Sequence, residues 1–105
     1  METAKQFDAL MRSGRFHEAF GYLTDDFSWT GPRRSMDKAG WWEQVSKLPP
    51  KERTSAAFED FQPGMDDLSV CRRGRKRIMF MNVEFVQTIQ TTSEGKIRSI
   101  SFERA

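Results

Sequence analysis

Few side chains in this sequence combine the type and spacing that chemistry needs. Asp25 and Asp26 form a carboxylate pair of the kind used in acid and base work. They fall between a helical and an extended pattern, however, where turn formation and amide capping are the expected tasks. His17 is the only histidine and Cys71 the only cysteine. A metal would therefore depend almost wholly on carboxylates, and no internal disulfide or cysteine zinc cluster can form, so no metal and no cofactor is expected. His17 sits beside Phe16 but off its apolar stripe and reads as an exposed structural residue, while Cys71 alternates with Val70 on a strand and reads as a buried, inert thiol. Trp41 and Trp42 could stack on a ligand ring, Trp42 being the stronger candidate, although their spacing with Val45 and Leu48 also fits a core. Arg72, Arg73, Arg75, Lys76 and Arg77 surround Gly74 and could hold phosphates if a hairpin presents them. No aromatic interleaves them and the chain's net charge is only +2, so the expectation is a solvated hairpin protecting its edges, and not a nucleic-acid site.

The elements that must position these groups centre on residues 14–32, GRFHEAFGYLTDDFSWTGP. Phe16, Ala19, Phe20 and Leu23 recur at helical spacing, which predicts a short helix ending at 24–26. A strand over 27–30 follows, with Phe27 and Trp29 on one face. Before it, Ala4, Phe7, Leu10 and Met11 share one side of a helix over 2–11, with Lys5 and Asp8 on the other side, and Ser13 and Gly14 break it. After it, Ser35 is placed to cap a third helix that carries Trp41, Trp42, Val45 and Leu48 and is stopped by Pro49 and Pro50. Beyond Thr54 the period is that of extended chain. Strands are expected over 54–62, 68–72, 76–90 and 96–103, turning at Pro63 and Gly64, at Gly74, and over 93–95.

The long strand is apolar on both faces. Met79, Met81, Val83 and Phe85 alternate with Ile78, Phe80 and Val86, which share their side with Asn82 and Glu84. One face must lie under the helices, so the other calls for a cover, and a homodimer through the outer face (Ile78, Phe80, Val86) is the expected one. Glu84 reads as a dimer-rim or cross-strand ion-pair residue that only a slipped register would turn inward.

A chain of 105 residues is expected to be one domain with one core and a modest pocket. No apolar run approaches the roughly 20 residues of a spanning helix. The first residues lack a signal-peptide centre, so no membrane role and a cytoplasmic location are expected.

Helix, helix, strand, helix and then a bent antiparallel meander is the element order of the nuclear transport factor 2-like superfamily, which includes SnoaL-like cyclases and ketosteroid isomerases. The chain resembles it in GRFHEAFGYLTDDFSWTGP, in the helix from Ser35 and in the closing SEGKIRSISF. The resemblance implies an α+β fold: three N-terminal helices on the concave face of a curved, mostly antiparallel sheet, a cone-shaped cystatin-like α+β barrel with a cavity for a small apolar molecule. It also implies where isomerase chemistry would sit. The general base would fall at Gly31, the hydrogen-bonding tyrosine at Phe7 and the protonated aspartic acid at Gln87. Glycine and phenylalanine can supply neither a base nor an oxyanion donor, so that chemistry is rejected. The expected cavity is lined by Phe7, Phe27, Trp29, Trp42, Phe85 and Gln87 and binds a small apolar or aromatic molecule. The alternatives are a SnoaL-like cyclase, isomerase or hydrolase using water held by Gln87 or an inward Glu84, and a dimeric protein-interaction module.

Overall fold

The structure, a computed structural model, describes residues 1–47 and 57–105. Helix α1 (Glu2–Arg12) buries Ala4 and Phe7, with Leu10 and Met11 packed against the core. Gly14 supplies the left-handed turn, at φ 78°, between α1 and α2 (Phe16–Phe20). Helix α2 is shorter than its apolar spacing suggests. The chain is already extended at Leu23, where β1 (Leu23–Thr30) begins, because Leu23 pairs with Ile97 and Tyr22 O accepts the Ile97 N–H at 2.7 Å. Asp25 and Asp26 therefore stand on an irregular part of a strand, where the register shifts between Leu23 and Ser28, and not at a helix end.

Ser35 is likewise not a cap. It opens β2 (Ser35–Asp37), which folds back on β1, and the cap is Asp37, whose Oδ1 accepts the Gly40 N–H at 2.8 Å. Helix α3 (Lys38–Lys47) follows, burying Trp41 and Val45. The expectations for Leu48, Pro49, Pro50 and residues 54–56 lie outside the described residues.

What reads as one strand over 54–62 is, among the described residues, two short ones, β3 (Ala57–Phe58) and β4 (Gln62–Pro63), both paired with β5 (Ser69–Ile78). Strand β5 runs straight through Gly74, and the turn comes later, at Met79 and Phe80, with Met79 at φ 57°. Pairing with β6 (Met81–Thr91) is unbroken from Ser69↔Gln90 to Ile78↔Met81, so the ladder overrides the local glycine signal. Gly95, at φ 79°, turns β6 into β7 (Ile97–Arg104).

The strands form one sheet in the order β2-β1-β7-β6-β5-β3, with β4 also on β5. The β1/β7 pair is parallel and the rest antiparallel. The sheet curves without closing, and three helices pack on its concave side. Phe27, Ile89 and Ile97 are its most deeply buried large side chains.

Alternation along β6 turns Val83, Phe85, Gln87 and Ile89 toward the helices. The outer face is more polar than the sequence suggests. Val86 stands opposite Arg73 and Glu103, Glu84 opposite Arg75, and Thr88 opposite Cys71 and Ser101. Phe80 lies in the turn, 91% exposed, and not on the strand face. Among the described residues no helix is long and apolar enough to cross a membrane.

Candidate functional site

Between the helices and the inner face of the sheet lies a cleft of about 1520 Å³. This exceeds the roughly 300–1,000 Å³ of an ordinary small-molecule site, since part of it is open mouth. Its wall is a row of rings carried across the sheet by strand alternation. Trp29 on β1 lies 5.6 Å from Phe102 on β7, Phe102 lies 5.4 Å from Phe85 on β6, and Phe85 lies 5.6 Å from Phe58 on β3. Gly74 permits the last of these contacts, since a Cβ there would stand 2.7 Å from the Phe85 ring and 2.8 Å from that of Phe58. Phe7 from α1 and Trp41 from α3 face the row across the cleft.

One charged group is sunk into this apolar lining. Arg72 on β5 is directly opposite Gln87 on β6, and its side chain is only 4% exposed. Its Nε donates to Gln87 Oε1 at 2.6 Å and its Nη2 to Asp8 Oδ1 at 2.8 Å. The guanidinium lies 3.6 Å from the centre of the Phe58 ring and 4.3 Å from that of Phe61. The ion pair, the amide and the two ring faces together offset the cost of taking a guanidinium out of water. The other oxygen of Asp8, Oδ2, is held by Arg12 Nε at 3.0 Å. Asp8 is thus a positioned counter-ion with both oxygens occupied, and a poor candidate for a free base.

Solved structures of the same architecture match nearly the whole chain. A nuclear transport factor 2-like protein of unknown function from Cytophaga hutchinsonii aligns over 98% of this chain and 87% of its own, with a TM-score of 0.77 and 12% identity. The chain has the nuclear transport factor 2-like fold. A candidate ketosteroid isomerase from Kribbella flavida aligns over 99% of this chain and 76% of its own, at 10% identity and a TM-score of 0.74. For a candidate polyketide cyclase from Sinorhizobium meliloti the shares are 98% and 94%, at 9% identity and the same TM-score, 0.74. No protein-family model and no curated protein sequence matches.

Within the nuclear transport factor 2-like fold, the three positions that the isomerase resemblance singles out all line the cleft: Gly31, Phe7 and Gln87. At Gly31 more than a missing side chain stands in the way of a base. A Cβ there would lie 2.6 Å from the Trp29 ring, so a carboxylate would have to displace the indole.

Of the residues expected in the cavity, Phe7, Trp29, Phe85 and Gln87 reach the cleft. Two do not. Phe27 is buried behind it, edge-on to Trp41 at 6.1 Å, and Trp42 points the other way, against Phe20 at 5.0 Å and His17 at 4.7 Å. Of the tryptophan pair on α3 it is Trp41 that lines the cleft. Glu84 faces outward and pairs with Arg75 at 3.3 Å, which removes it as an inward acid. Cys71 is half-buried, its Sγ 3.8 Å from Pro63 O. Asp25 is exposed, 3.8 Å from Lys38 Nζ, and Asp26 accepts a hydrogen bond from Thr24 Oγ1 at 2.6 Å that holds its carboxyl below its ordinary value of 3.8. Among the described residues no three of His, Cys, Asp and Glu converge as a metal site would need.

The basic run is not one patch. Arg72 and Lys76 line the cleft, whereas Arg73 and Arg75 alternate to the outer face. Arg72 and Asp8 are the site residues that sequence reasoning missed. The available signal was strand register, which sets Arg72 across from the inward Gln87 once the turn is placed at Met79 and Phe80.

Proposed function

We propose that the protein binds a small apolar or aromatic molecule in this cleft, with no catalysis assigned to it. The observation that carries the reading is the continuous row of Trp29, Phe102, Phe85 and Phe58 beside a buried guanidinium held by Asp8 and Gln87. Rings supply area to bury, and a few fixed polar groups supply orientation, which is the usual construction of a small-molecule site. The same fold in a candidate ketosteroid isomerase and a candidate polyketide cyclase supports a cavity of this kind. A SnoaL-like enzyme is the weaker reading, because Glu84 faces outward and both oxygens of Asp8 are engaged. We place the protein in the cytoplasm, supported by a sequence whose single cysteine leaves no internal disulfide.

A panel of hydrophobic aromatic compounds tests the reading by thermal shift and tryptophan quenching, since Trp29 and Trp41 both line the cleft. Binding should raise the melting temperature and quench emission together. A panel that moves neither would show that the cleft is not a ligand site.

A further inference from the structure

We propose that the molecule taken by this cleft is an organic anion, an apolar or aromatic body carrying a carboxylate. The inference deepens the small-molecule reading and rests on it.

Among the described residues six basic side chains line the cleft: Arg12, Arg33, Arg34, Arg72, Lys76 and Arg104. Asp8 is the one acidic residue of the lining among the described residues, and this described lining brings +5 to the cleft in a chain whose total is +2. The rest of the molecule is therefore net negative, and the positive charge is gathered at the concave, ring-lined surface. Arg33, Arg34, Lys76 and Arg104 have no acidic partner within ion-pair distance among the described residues. A cleft lined by one sign of charge with low-dielectric walls raises the local concentration of the opposite charge.

Hydrogen bonding at the buried centre points the same way. Both oxygens of Asp8 are occupied, by Arg72 and Arg12, and Gln87 Oε1 is occupied by Arg72. Each acceptor oxygen of this cluster already faces a guanidinium, while several of its donors have no partner among the described residues. Arg72 has five N–H groups and uses two, and the Gln87 amide nitrogen has no partner among the described residues. Buried donors left unmet are costly, and a guanidinium matches a carboxylate both in charge and in the geometry of its paired N–H groups. A neutral apolar guest would cover these donors without answering them.

Binding of 2-naphthoate, 4-phenylbutanoate and dodecanoate, each against its neutral primary amide, tests the proposal by calorimetry and tryptophan quenching at low and high salt. At least one carboxylate should bind tenfold or more tightly than its amide at low salt, with the gap narrowing as salt rises. Lys76→Gln and Arg104→Gln, both changes at accessible side chains, should each weaken the carboxylate severalfold and leave the amide unchanged. Arg72→Met should abolish the preference, and the two milder variants carry the test if it fails to fold. Amides that bind as well as the acids would overturn the charge inference while leaving the small-molecule site standing. If neither acids nor amides bind, the small-molecule reading falls and this inference with it.

Discussion

Removal of Asp8 is the sharpest perturbation the structure offers, because it strands a cation that cannot reach water. The Arg72 side chain is 4% exposed and that of Asp8 18%. Breaking a buried pair from one side costs roughly 3–5 kcal/mol. Here Arg72 keeps Gln87 and two aromatic rings and Asp8 is not fully enclosed, so Asp8→Ala should cost about 2–3 kcal/mol. For a chain of this size that lowers Tm by roughly 8–20 °C. Arg72→Met is the gentler half of the comparison, at about 1–2 kcal/mol, because the orphaned carboxylate keeps Arg12 and some water while methionine refills much of the space. With Arg72 already gone, Asp8→Ala should cost only the helical pair with Arg12, about 0.5 kcal/mol. The cycle therefore predicts a coupling of about 1.5–2.5 kcal/mol between residues 64 apart in the chain. Urea melts of the wild type, the two single variants and the double variant measure it. The coupling should survive high salt, which screens the exposed pairs Arg15 with Glu18 and Lys47 with Glu43. Additive effects, or an Asp8→Ala variant as stable as wild type, would refute the claim that this pair is buried and closed.

Gly31→Asp, which places a carboxylate where an isomerase base would fall, should force the Trp29 ring aside, cost about 1–3 kcal/mol and shift tryptophan emission to the red. An unchanged melt and spectrum would mean the indole does not rest on that backbone. Thr24→Val should let the Asp26 pKa rise back toward 3.8, as read by NMR titration. Because the folded value is depressed, the stability lost in this variant should be visible at neutral pH and vanish as the pH falls through the depressed value. Pairing of two copies through the outer sheet face around Val86 predicts a mass of twice 12.3 kDa by light scattering, reduced to the single mass by Val86→Glu. A monomer at every concentration would end that expectation.

The architecture was legible where apolar residues recur. Phe7, Trp29, Phe85 and Gln87 all reach the cleft because period-2 and period-3.6 patterns fix a side chain's face even when element ends are misplaced. The ends themselves were set by tertiary pairing. Leu23 continues a helical stripe in sequence, yet Ile97 draws it into a strand, and Ser35 looks like a cap until β2 is seen to pair with β1. The polar centre was not legible for a related reason. Asp8 lies off the apolar stripe of its helix, and Arg72 belongs to a run of bases that reads as solvated. Only the turn at Met79 and Phe80, which carries no glycine or asparagine signal, brings Arg72 opposite Gln87.

Among the described residues strands β3 and β4 have two residues each and are joined to the sheet only along β5, whereas β6 is paired on both sides. Phe58 and Phe61 clasp this short span, residues 57–63, to the sheet through the Arg72 guanidinium. Its amides should trade hydrogen for deuterium sooner than those of β6, since little has to break before it lifts.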